Sequence, residues 1–117
     1  MKIGIDFDCT LTADVNLFSM FVRGALINGH EIKIVTYRHP DNKSGNIDAI
    51  AEALGIEIIF TDHEQKNSFC EKLGWIPDIW IDDKPERIPT PSKLVERLEE
   101  IEDEDAADFW HTAFEDE

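Results

Sequence analysis

The residues of this 117-residue chain best equipped for chemistry are acidic, and they stand where apolar runs stop. Lys2-Ile3-Gly4-Ile5 leads into Asp6-Phe7-Asp8, Ile32 to Val35 leads into Thr36-Tyr37-Arg38, and Ile79-Trp80-Ile81 leads into the adjacent pair Asp82-Asp83. One aspartate after a strand reads most simply as a turn or cap residue. Four carboxylates at the ends of apolar runs need more, because burying a charge without a partner costs several kcal/mol. A divalent cation would compensate them, and an all-oxygen site that retains water suits magnesium better than zinc. Cys9 and Cys70 are too few and unpatterned for a disulfide framework or a zinc site and read as reduced thiols. His30, His63 and His111 show no ligand spacing and read as structural.

The elements that must position these groups follow from the pattern between them. Residues 2 to 6, Ile32 to Val35, Ile56 to Phe60 and Ile79 to Ile81 are short, mostly β-branched runs that read as buried parallel strands. Val15, Leu17, Phe18, Phe21, Val22, Ala25 and Leu26 recur at helical spacing, with Asn28-Gly29 as the stop. Ile47, Ile50, Ala51 and Leu54 mark a second helix, capped from the Asn42 to Asn46 region and closed by Gly55. Phe69, Cys70 and Leu73 give a third that ends at Gly74. Pro85, Pro89 and Pro91 enforce a loop, and Ser92 opens a fourth helix with the stripe Leu94, Val95, Leu98, Ile101. The alternation predicts a three-layer α/β/α sandwich with a mainly parallel, Rossmann-like sheet and ligands at the strands' carboxyl ends.

Residues 1–105 are expected to form one domain, with 106–117 an acidic extension docked in part through Phe109, Trp110 and Phe114. The formal charge of −15 is uneven: from Glu96 to Glu117 there are eleven acidic residues and one arginine. That stretch reads as a solvated helix face and tail. An acidic total repels polyanions, which counts against nucleic acid as a partner while allowing a local patch to hold one phosphate. No run resembles a membrane span or signal peptide, so the expected location is cytoplasmic.

Taken in order, these residues resemble the haloacid dehalogenase-like (HAD) superfamily. Its first motif, Asp-x-Asp-x-Thr, is matched by Asp6-Phe7-Asp8-Cys9-Thr10, its second by Ile34-Val35-Thr36, and its acidic pair by Asp82-Asp83. The motif lysine at a helix start is matched best by Lys66, with Lys72 later in the same segment. The resemblance implies that Asp6 attacks phosphorus and that Asp8 is the general acid and base. It implies magnesium on Asp6, the Asp8 carbonyl and Asp82 or Asp83, with Thr36 and Lys66 cradling the phosphate. Thr10, Tyr37, Arg38 and Lys84 are candidates for contact with substrate, as are His39 and Arg87 if they do not simply face solvent. Cys9 stands where many relatives have glycine and reads as a small buried filler or a redox-sensitive neighbour. Trp75 and Trp80 read as core.

Only 27 residues separate Asp8 from Thr36 and only 29 separate Thr36 from Lys66, which leaves no room for a cap domain. The expectation is therefore an open-site, magnesium-dependent phosphomonoesterase acting on a phosphorylated small molecule or on an exposed phosphate of a larger substrate. A nucleotidase or polynucleotide-end phosphatase is the alternative, and a HAD-shaped binding protein without turnover is the non-enzyme one. A receiver-type signalling domain fits less well, because there the acidic pair follows the first strand and the phosphoacceptor follows the third.

Overall fold

The β-branched runs form four strands, β1 (Lys2–Ile5), β2 (Glu31–Thr36), β3 (Ile58–Phe60) and β4 (Ile79–Ile81). The helical stripes between them form α1 (Val15–Ile27), α2 (Ile47–Leu54) and α3 (Lys66–Leu73). These come from a computed structural model that describes residues 1–88. The expected helix from Ser92, the loop prolines Pro89 and Pro91, and the extension with Phe109, Trp110 and Phe114 lie outside the described residues.

Helix boundaries follow local chemistry. Asp14 accepts the Leu17 amide at 3.0 Å and starts α1. Gly55 takes a left-handed φ of 70° after α2, and the Ile56 amide then reaches back to the Ala51 carbonyl at 3.0 Å. That closure still holds Ile56, so β3 begins at Ile58 and not at Ile56. The expected side-chain cap before α2 is corrected. Asn46 is itself left-handed and caps nothing, and a 3-10 turn over Ser44–Asn46 delivers the chain instead.

The sheet is entirely parallel in the order β3-β2-β1-β4. Alternate strand residues separate two cores. Ile3, Ile5 and Ile34 pack with Val22 and Ala25 of α1 and with Ile47, Ala51 and Leu54 of α2. Val35 and Ile59 pack with Cys70 of α3 and Trp75, with Phe69 and Trp80 against them. A Cβ on Gly4 would meet Pro77 and Trp80 at 3.0 Å, so glycine lets that side close on β1. Right-handed crossovers account for this division: the chain first steps outward from β1 to β2 and β3, then returns across the sheet to β4, which reverses the face its helix covers. The switch lies between β1 and β4, at whose carboxyl ends Asp6 and Asp82-Asp83 stand. Among the described residues no helix is long and apolar enough to cross a membrane.

Candidate functional site

Asp6 extends the β1–β4 ladder by donating its amide to the Ile81 carbonyl at 2.9 Å. The chain then turns sharply, with Cys9 left-handed at φ 59° and its amide on the Thr12 hydroxyl at 3.0 Å. Cys9 is exposed, which corrects its reading as a buried filler. The turn points Phe7 into the core, leaves Asp8 half-exposed, and brings Thr10 back beneath the carboxylates.

The Thr10 hydroxyl lies 3.2 Å from Asp6 Oδ2 and 3.2 Å from Asp83 Oδ1, and it accepts the Asp83 amide at 3.2 Å. Thr10 thus positions two carboxylates. Lys66, the first residue of α3, is fully buried; its Nζ donates to Asp6 Oδ1 at 2.8 Å and also to Asp82 Oδ2. The other Asp82 oxygen accepts the Lys84 amide at 2.9 Å. Lys84 contributes this backbone contact, and its side chain is not among the groups that line the cleft. Lys72 pairs with Glu64 on the surface, so of the two candidate lysines Lys66 is the one buried among the carboxylates.

One ammonium among three carboxylates leaves the cluster anionic. Burial pushes the Asp6 carboxyl up to about 6, against the pull of Lys66 and with further push from Asp82 and Asp83. Asp83 is held below the usual range, chiefly by its hydrogen bond with Asp6. Oxygens of Asp6, Asp82 and Asp83 lie within 4.8 Å of one another. An excess of negative charge and an all-oxygen donor set fit a hard cation.

Asp8 points elsewhere. Arg38 grips it through Nε at 2.7 Å and Nη2 at 2.5 Å, while Nη1 donates to the carbonyls of Asn42 at 3.2 Å and Ser44 at 2.6 Å. The guanidinium lies 5.2 Å from the Phe7 ring centre, and Asp8 raises its pKa. Thr36 is buried at the end of β2, where its hydroxyl accepts the Arg38 amide at 3.4 Å.

A cleft of about 180 Å³ opens over these groups, lined by Asp6, Asp8, Tyr37, Arg38, His39, Asn42, His63 and Arg87. A larger concavity of about 530 Å³ beside α1 and β4 is mostly apolar, and among the described residues no carboxylate lines it. His63 and Asn42 were not singled out for the site by their sequence positions. The amides of Asp62 and His63 bond the carbonyls of Arg38 (3.0 Å) and Tyr37 (2.8 Å), prolonging the β2–β3 pairing past Phe60. A pairing that outlasts its apolar run leaves no local signal.

Comparison of the chain with known proteins found no matching family model, no matching curated protein and no matching solved structure. The functional reading therefore rests on this geometry and on the motif pattern.

Proposed function

We propose that the chain is a HAD-like phosphomonoesterase with a three-layer sandwich and no cap, working through an aspartyl phosphate on Asp6. The observation that carries this reading is Lys66, fully buried between Asp6 and Asp82 at the strand switch point. Burying an ammonium to hold an attacking carboxylate is hard to explain as packing, since an apolar core there would be at least as stable.

In the first step an Asp6 oxygen forms a bond to phosphorus as the ester P–O bond breaks, and Asp8 gives a proton to the departing oxygen. In the second, water attacks the same phosphorus, Asp8 takes its proton, and the Asp6–phosphorus bond opens to release phosphate. Lys66 orients Asp6 and offsets charge on the phosphoryl oxygens, and the Thr36 hydroxyl offers them a donor. Arg38 holds the Asp8 side chain in place through two hydrogen bonds. An incoming phosphate that draws Arg38 toward itself would free the Asp8 side chain to turn toward the departing oxygen. Asp6, the Asp8 carbonyl and Asp82 or Asp83 would hold magnesium, which supplies charge neutralisation between nucleophile and phosphate when bound.

The test is a phosphatase screen over sugar phosphates, nucleotides, phosphopeptides and polynucleotide ends, run with magnesium and with EDTA. Turnover that needs the metal, vanishes in Asp6→Asn, and gives way to a trapped phosphoenzyme in Asp8→Asn is the expected result. Full activity in Asp6→Asn would falsify the mechanism, and activity confined to nucleotides or polynucleotide ends would select the alternative.

A further inference from the structure

One wall of the cleft is made by three separate segments that meet on Tyr37. From the turn Pro85–Arg87 after β4, the Arg87 guanidinium lies 4.6 Å from the Tyr37 ring centre. From the loop after β3, His63 meets the same ring edge-on at 5.1 Å. Among the described residues Asp6 and Asp8 are the only carboxylates lining the cleft, and the rest of the lining, Asn42 apart, is basic or aromatic in a chain of charge −15.

The two arginines of the cleft differ in what their donors do. Arg38 has its donors committed to Asp8, Asn42 and Ser44. Arg87 has no carboxylate within salt-bridge distance among the described residues. Its place is set by the stack on Tyr37 and by its backbone. With its amide nitrogen turned toward them, Gln65 donates to the carbonyls of Glu86 at 3.3 Å and Arg87 at 2.9 Å. Gln65 immediately precedes Lys66, so one residue couples the arginine turn to the buried lysine. His63 is held just as firmly: it and Asp62 are both left-handed, at φ 65° and 52°, and side chains seldom accept that conformation without a surrounding structure that enforces it.

An arginine fork whose donors meet no carboxylate among the described residues, fixed beside the proposed phosphoryl site, suits planar anionic oxygens. Size limits what else can enter. About 180 Å³ is well below the ~300 Å³ at which enclosed small-molecule pockets begin, so the cleft admits the phosphoryl group and its near neighbours. Resting on the phosphatase reading, we propose that Arg87, Tyr37 and His63 form a second anion subsite. The substrate is then a phosphomonoester whose leaving group carries another anionic group, a carboxylate or a second phosphate, a few bonds from the ester oxygen.

Binding tests this apart from turnover. Full-length Asp6→Asn protein with magnesium is titrated calorimetrically with phosphoglycolate and its neutral amide, and with ethylene glycol bisphosphate and its monophosphate. At least one anionic probe is expected to bind about tenfold tighter than its neutral counterpart, the magnitude of one charge-assisted pair. Whichever pair shows the larger gain identifies the second anion. Adding Arg87→Gln should erase the gain, and Arg87→Lys should restore only part of it, because the ammonium lacks the planar fork. Equal affinity within both pairs, or a preference that survives Arg87→Gln, would overturn the subsite. Absence of hydrolysis of every ester by the unaltered protein would instead sink the phosphatase reading and leave the binding result standing.

Discussion

Toward the amino ends of the strands, Lys33 meets Glu57 at 3.0 Å with the glutamate side chain 75% exposed. At the carboxyl ends Lys66 bonds Asp6 at 2.8 Å and Asp82 as well, with all three side chains nearly or fully buried. The residue types are alike, and the surroundings reverse what they mean. Water screens the first pair, so it costs little and contributes little. The second is desolvated, and its charges persist only because each has partners that cannot be removed singly. A sheet end selected for stability alone would resemble the first. The anionic excess at the second is a standing electrostatic cost, which the proposed cation would offset.

The largest effect should come from breaking the buried cluster. Lys66→Met leaves Asp6 and Asp82 buried without their cation, and about 3–5 kcal/mol of stability should be lost in urea unfolding, together with turnover. A loss under about 1 kcal/mol would show that the two ends of the sheet do not differ as argued.

Next in size is the pH dependence of the metal-free protein. The Asp6 carboxyl sits near 6 when folded against 3.8 for the free group, so the folded state binds more protons in between. Stability from this group is full below about pH 4 and declines as pH rises through 6, by on the order of 2–3 kcal/mol. Asp6→Asn should flatten that slope, and magnesium added at neutral pH should raise the melting temperature of the unaltered protein more than that of the variant. A metal-free protein whose melting temperature climbs between pH 4 and 6, with no difference in Asp6→Asn, would contradict the cluster's electrostatics.

Arg38 lies between the two extremes, since its side chain is 10% exposed and that of its partner Asp8 is 50% exposed. Arg38→Lys loses the bidentate grip and the bonds to Asn42 and Ser44, at about 1 kcal/mol. Faster amide exchange confined to residues 42–46 should accompany it, because those carbonyls order the loop around left-handed Asn46.

The same contrast marks what the chain discloses before it folds. Strands and helices were legible because burial imposes a period, Asp6 and Asp82 because charge at the end of an apolar run is anomalous, and Lys66 only through the family motif that asks for a lysine at a helix start. The inward turn of Thr10, the exposure of Cys9 and the capture of Asp8 by Arg38 were not. Each depends on a backbone turn or on partners up to 73 residues away, and no local pattern encodes either. His63 reaches the cleft only because β2–β3 pairing outruns its apolar residues.

The smallest effect should come from the exposed pair, and it must be probed from the acidic side. Lys33 also lies 4.8 Å from the Trp75 ring centre, so replacing it would disturb a buried aromatic along with the ion pair. Glu57→Gln keeps the shape and removes only the charge; the expected change is at most about 0.5 kcal/mol, shrinking further in high salt. A cost comparable to that of Lys66→Met would mean that exposure is not what separates the two ends of the sheet. A near-zero result beside a large one at Lys66 would make desolvation the variable, since the ion-pair distances, 3.0 Å and 2.8 Å, are nearly the same.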